Sequence, residues 1–253
     1  MRAILYICHG SRVKSGQQAA LAFFEKTMKT GTAAIQEACF LELAEPSIAK
    51  GVANCIERGA TEIVALPFLL LRAGHANLDI PAELQHVMTK YPTIPLYYGD
   101  PIGVDERMVD VLIERLQEQE EAIPCDAEIL LVGRGSSDPA TKQDFTAIKR
   151  IFQEKTGLQQ VRVGYLAACG PSFEEELERI LDNRPAELYI LPYLLFTGIL
   201  LKTIERTLKN LDTTTAVHLC NELGYDPAIH AILIERANEA AERKCGLDVP
   251  YYA

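Results

Sequence analysis

The chain has 253 residues, which at roughly 150 residues per domain allows one to two domains. Its 48% hydrophobic and 24% charged residues match an ordinary globular protein and exclude collagen-like, low-complexity and coiled-coil classes. With 35 acidic against 25 basic residues, a formal charge of −10, the surface repels phosphate backbones and anionic lipid, so neither nucleic acid nor membrane is expected as a partner.

In chain order, short β-rich apolar runs alternate with longer amphipathic ones, the pattern of βαβ units on a parallel sheet buried on both faces. The first half predicts strands over 3–8, 35–41, 62–69 and 94–98, with helices over 16–29, 47–58, 80–90 and 105–119. The second predicts strands over 128–132, 161–166, 187–194 and 215–219, with helices over 140–155, 172–181, 201–211 and 227–244. Pro46-Ser47 and Pro171-Ser172 each stop a strand–loop segment and place a serine where it can cap a helix. The longest apolar run, 63–71, is interrupted by Pro67 and is too short to span a bilayer. The start, Met1-Arg2, runs into strand-like sequence without the three-part pattern of a signal peptide, so a cytoplasmic location is expected.

The two halves are copies of one template. An offset of 125 carries Ile4-Leu5 and Gly10-Ser11 onto Ile129-Leu130 and Gly135-Ser136, and Leu41 and Pro46-Ser47 onto Leu166 and Pro171-Ser172. It also carries Glu62, Leu66-Pro67 and Leu69-Leu70 onto Glu187, Leu191-Pro192 and Leu194-Leu195, and Gly99 onto Gly224. The fold expected is α/β: two tandem, pseudo-symmetric lobes, each an open parallel four-stranded sheet flanked by helices. The join falls in the polar stretch 118–126, which gives an amino-terminal catalytic lobe over 1–122 and a carboxy-terminal lobe over 123–253.

Seven cysteines without a C-x-x-C pair fit neither a disulfide framework nor a zinc knuckle, and most are expected to be buried small hydrophobes. Ligands of open parallel sheets bind outside the carboxyl ends of the strands. Three side chains stand there in the first half: His9 after the first strand, Glu42 after the second and His75 after the third. Two imidazoles and a carboxylate form a donor set for a divalent first-row metal, with positions left open. The repeat acts as an internal control. His9, Glu42 and His75 become Arg134, Ala167 and Leu200, while the glycines, prolines and apolar positions of the scaffold persist. One working site is expected, in the first half. His86, His218 and His230 lie outside this cluster and read as structural. The turn Gly133-Arg134-Gly135-Ser136-Ser137 could hold an anion or be a plain glycine turn, and no nucleotide-binding glycine motif is present. The run 67–71 could pack in the core or serve as a platform for a flat apolar ligand.

At Leu5-Tyr6-Ile7-Cys8-His9-Gly10-Ser11-Arg12, Phe40-Leu41-Glu42-Leu43-Ala44-Glu45-Pro46 and Pro67-Phe68-Leu69-Leu70-Leu71-Arg72-Ala73-Gly74-His75, the chain resembles the sirohydrochlorin chelatases of the class II chelatase family, above all its two-lobed iron-inserting members. The likeness extends through 133–139 and 168–171. It implies insertion of Fe2+ into sirohydrochlorin to give sirohaem, with His9, Glu42 and His75 as both catalytic residues and metal ligands. No cofactor would be permanently bound, because Fe2+ (or Co2+) is the metal substrate. Residues matching the family's substrate contacts are Ser11, Arg12, Leu70, Leu71, Arg72, Ala73, Gly74 and Arg134. Of these, Arg12, Arg72 and Arg134, together with Lys14, would gather positive charge for a polycarboxylate macrocycle on an otherwise acidic protein. The alternatives are cobalt insertion for anaerobic cobalamin synthesis and a non-catalytic metal or tetrapyrrole carrier. Long cobaltochelatases can carry a His-rich stretch and a C-x-x-C tail; the segment 242–253 has neither, which favours iron. A phosphate-transfer reading of His9-Gly10 lacks the Arg-His-Gly run of histidine phosphatases. Two fused lobes make a monomer the expected state.

Overall fold

A computed structural model describes residues 1–11, 14–31, 33–120, 122–224 and 226–244. Its elements are β1 (Arg2–Cys8), α1 (Lys14–Thr30), β2 (Ile35–Phe40), α2 (Ile48–Glu57), β3 (Glu62–Phe68), α3 (Ile80–Met88), β4 (Leu96–Tyr98) and α4 (Glu106–Gln117) in the first copy. The second copy holds β5 (Glu128–Gly133), α5 (Ala140–Thr156), β6 (Val161–Tyr165), α6 (Phe173–Asp182), β7 (Glu187–Tyr193), α7 (Ile199–Lys209), β8 (Ala216–Leu219) and α8 (Pro227–Arg243). Every expected strand and helix is present. The sheets run β2-β1-β3-β4 and β6-β5-β7-β8, all pairings parallel. The central strands β1, β3, β5 and β7 are continuous apolar runs because helices cover both their faces. In each sheet the chain leaves the first strand to one side and returns on the other, so the topological switch point lies between β1 and β3, and between β5 and β7.

The repeat is visible in the backbone. Ser47 caps α2 by accepting from Lys50 N–H, and Ser172 caps α6 by accepting from Glu175 N–H. The latter is a full capping box: the Glu175 side chain accepts from Ser172 N–H in return at 2.8 Å. The offset of 125 is not kept to the end, however. Asn77 N–H donates to Ala73 O as Lys202 N–H donates to Gly198 O, but Thr89 N–H to His86 O matches Asn210 N–H to Thr207 O. From there the offset is 121: Leu96 pairs with Ile63 as Val217 pairs with Leu188. The structural counterpart of Gly224 is therefore Gly103, not Gly99; both have positive φ (68° and 76°) and donate to the matching carbonyls of Leu195 and Leu70. The first copy spends its additional residues at the entry to α3, on a π-helical turn over His75–Asp79 in which Ile80 N–H reaches back to His75 O.

The chain forms two compact units, Met1–Gly103 with the stretch from Ile229 onward, and Val104–Ala228. The expected division at 122/123 follows the repeat in sequence; in space the closing helix of each copy belongs to the other unit. In the first unit, Ala240 and Ala241 of α8 pack on Val64 and Tyr97. His230 stacks on Phe23 with ring centroids 4.2 Å apart, and its Nδ1 lies 2.6 Å from Thr27 Oγ1. In the second unit, α4 packs on α5 and β7, and Lys155 bonds Asp110 at 2.6 Å. The first core joins β1 and β3 to α2 and α3; the second joins β5 and β7 to α6 and α7.

The capping box gives a direct check. Bonding to Ser172 holds the Glu175 carboxyl below its ordinary value. A depressed carboxylate contributes stability above its unfolded pKa and loses it as pH falls through the folded one. Ser172→Ala should lower stability by about 0.5–2 kcal/mol in denaturant unfolding, and Glu175→Ala should lower it at neutral pH with a smaller difference in acid; an equal loss for Glu175→Ala at both pH values would contradict the box.

Candidate functional site

The three candidate side chains sit at the carboxyl edge of the first sheet, around its switch point. β1 ends at Cys8, which pairs with Phe40 of β2 and Phe68 of β3, so the residues following these three strands emerge side by side. His9 follows at once. Its backbone carbonyl accepts from Glu42 N–H at 3.1 Å, beneath the bond from Leu41 N–H to Cys8 O at 2.8 Å. This contact is possible because residue 10 is glycine at φ +104°: a Cβ there would stand 1.8 Å from Glu42 O. Gln17 of α1 ties the same loops together, donating to Ser11 O at 2.6 Å and to Leu43 O at 3.0 Å.

The site's imidazoles are paired. The rings of His9 and His75 stack with centroids 4.4 Å apart and planes 27° from parallel. Each ring also has a carboxylate at Nδ1: Glu42 Oε1 is 3.5 Å from His9 Nδ1, and His75 Nδ1–H donates to Asp79 Oδ2 at 2.7 Å. At His75 this hydrogen bond fixes the tautomer that leaves the Nε2 lone pair for a metal or a proton. Both histidine side chains are about a quarter exposed, whereas Glu42 and Asp79 are half exposed, so the acids can move more freely than the rings. The ligand atoms of His9, Glu42 and His75 are not all within 4.8 Å of one another; among the described residues, the set that meets that limit is Glu120, Glu187 and His218. Glu42 must swing inward to join both rings on one ion.

Asp79 was not among the sequence candidates. Its signal was the His75-x-x-x-Asp79 spacing, which becomes a contact on the π-helical turn that the second copy lacks. Leu43 was missed too: it lies beside Glu42 with φ +64° and is 42% exposed, an apolar side chain at the mouth of the site.

The expected substrate contacts fare differently. Ser11, Leu70, Leu71 and Ala73 are half-buried and Gly74 is exposed, all on the loops bearing the histidines. Ile102 N–H and Gly103 N–H pin the platform by donating to Leu69 O and Leu70 O. Arg72 is paired with Asp100, which also lies 3.7 Å from Arg243. Lys14 is exposed at the start of α1, and Arg12 lies outside the described residues. Arg134 is exposed in the second unit at the place His9 holds in the first; there Ala167 N–H donates to Arg134 O, and Gly135 has φ +85°. The second copy thus keeps the loop geometry without the ligands.

The described cysteines are mostly buried. Cys8, Cys39, Cys55 and Cys220 are buried; burial pushes the first two up and the latter two up to about 12, so they stay protonated and apolar. Cys125 is exposed and Cys169 half-buried.

A family model described as CbiX matches residues 3–119 and again 128–240. The chain is 47% identical to the sirohydrochlorin ferrochelatase of Priestia megaterium, over 92% of this chain and 88% of that protein. It is 36% identical to the sirohydrochlorin cobaltochelatase of the same organism, over 96% of this chain and 81% of the relative. The solved structure of SirB from Bacillus subtilis with Fe3+ superposes with a TM-score of 0.89 at 39% identity, covering 98% of this chain and 99% of that one.

The role of Asp79 can be read without any metal. In imidazole 15N NMR, His75 is expected as the Nδ1–H tautomer, and Asp79→Ala should return it to the Nε2–H form preferred in water. A wild-type His75 already in the Nε2–H form would contradict the assignment.

Proposed function

The chain belongs to the CbiX family, and on that premise we propose that it inserts Fe2+ into sirohydrochlorin to form sirohaem. The observation that carries the reading is the His9–His75 pair at the switch point of the first sheet, with Asp79 bonded to His75 Nδ1 and Glu42 beside His9 at 3.5 Å, in a fold whose second copy has none of these groups. The greater identity to the ferrochelatase relative than to the cobaltochelatase relative favours iron. Nitrogen and oxygen donors accept Co2+ as well, so cobalt insertion is the second reading.

Insertion must strip ligands from the ion and remove two pyrrole N–H protons from the macrocycle. His9 and His75 hold the incoming ion through Nε2, and Glu42 completes the set by swinging in from its half-exposed position. Such an incomplete set binds Fe2+ loosely enough to release it, unlike a closed thiolate cage. As ring nitrogens replace the imidazoles, the freed His9 can accept a pyrrole proton at neutral pH and pass it to Glu42. Asp79 keeps His75 oriented throughout.

Leu70, Leu71, Ala73 and Gly74 form the surface on which the macrocycle rests, with Leu43 at its margin. Ser11, Arg12 and Arg72 contact its carboxylates, and Arg72 exchanges Asp100 for one of them. The protein works as a cytoplasmic monomer; among the described residues no helix is long and apolar enough to cross a membrane. Its partners are sirohydrochlorin and the divalent ion, not nucleic acid.

Rates of sirohydrochlorin metallation with Fe2+ and Co2+, at substoichiometric protein, test the site and separate an enzyme from a carrier. His9→Ala and His75→Ala should each slow insertion by about 100-fold or more, since proton transfer alone contributes on that order. Near-normal rates in both variants would refute the proposed ligands, and absence of turnover in the wild type would leave a carrier.

A further inference from the structure

At the opposite, amino-terminal edge of the second sheet, three side chains gather that the reaction does not use. Glu187 opens β7, His218 lies on β8, and Glu120 follows the end of α4. One ligand atom from each lies within 4.8 Å of those of the other two. Ligands of a single ion with bonds of about 2.1–2.3 Å stand about 3.0–4.6 Å apart, so these side chains must draw together to share one.

Two further observations point to a cation. Nε2 of His218 is buried and makes no hydrogen bond, whereas buried polar atoms are almost always paired. The repeat supplies the other. In the first unit the counterpart of Glu187 is Glu62, which is neutralised by Arg2 at 2.9 Å. In the second unit the position of Arg2 is Ala127, and the counterpart of Tyr97 is His218. The acid has been kept, its arginine lost, and an imidazole and a second carboxylate added. The supporting contacts are in place as well. Tyr189 donates its hydroxyl to Glu187 Oε2 at 2.5 Å and stacks on His218 with centroids 4.6 Å apart and planes 12° from parallel, fixing both groups.

We propose that Glu120, Glu187 and His218 form a second binding site for a divalent first-row cation, one that fastens β7, β8 and the segment after α4 to one another. This site lies in the second unit, uses none of the residues of the first, and does not depend on the chelatase reading.

The test uses the full chain carrying His9→Ala and His75→Ala, so that binding by the first site is removed, with Co2+ as the probe in equilibrium dialysis and visible absorption. One equivalent of Co2+ should remain bound. Adding Glu120→Gln, a change at an exposed residue that does not threaten folding, or His218→Ala should weaken it about 10-fold or more, and Tyr189→Phe by about 10-fold through the lost support. Glu62→Gln in the first sheet should leave it unchanged. Absence of bound Co2+ in the double variant, or binding indifferent to Glu120→Gln, would overturn the site.

Discussion

Loops at the carboxyl ends of neighbouring parallel strands usually diverge to meet their separate helices, and a crevice opens where they part. In the first unit the loops after β1 and β2 instead touch, because the glycine at position 10 lets its backbone settle against the carbonyl of Glu42. That contact fixes His9 next to Glu42 and leaves the crevice on the other side of β1, toward β3, where His75 enters. Any larger residue at position 10 must push the two loops apart and carry His9 away from Glu42.

The second copy shows which parts of this arrangement serve the fold. Gly135 approaches Ala167 O as Gly10 approaches Glu42 O, with hypothetical Cβ distances of 2.0 and 1.8 Å. Leu43 and Ala168 share a left-handed backbone, at φ +64° and +61°. The scaffold was duplicated intact. What differs is the chemistry set upon it and the longer entry to α3, where the π-helical turn brings His75 and Asp79 together. The candidate site thus differs from its counterpart only locally, on a frame that both copies share.

Much of this was legible in the sequence, for identifiable reasons. Continuous apolar runs such as 4–8 and 129–133 can be little other than central parallel strands, and the strand-end rule then singled out His9, Glu42 and His75 from composition and order alone. Other features depend on contacts that sequence order hides. The apolar face of α8 announces that it must be covered, but not that Val64 and Tyr97 of the other copy cover it. The match of Gly99 with Gly224 looked like the repeat continuing, while hydrogen bonding pairs Gly224 with Gly103. Arg72 read as a free cation for substrate until Asp100, from beyond β4, was found beside it. Glu120, Glu187 and His218 are separated by some 30 to 100 residues, and only the sheet register brings them together.

The central claim is that His9, His75 and Glu42 hold one ion at the switch point of the first sheet. Crystals soaked with Co2+ and measured at the cobalt absorption edge address it directly. The account predicts an anomalous peak about 2.1 Å from an imidazole nitrogen of both His9 and His75, with the Glu42 carboxylate turned in to meet it. Cobalt bound elsewhere in the molecule while this position shows no peak would contradict it.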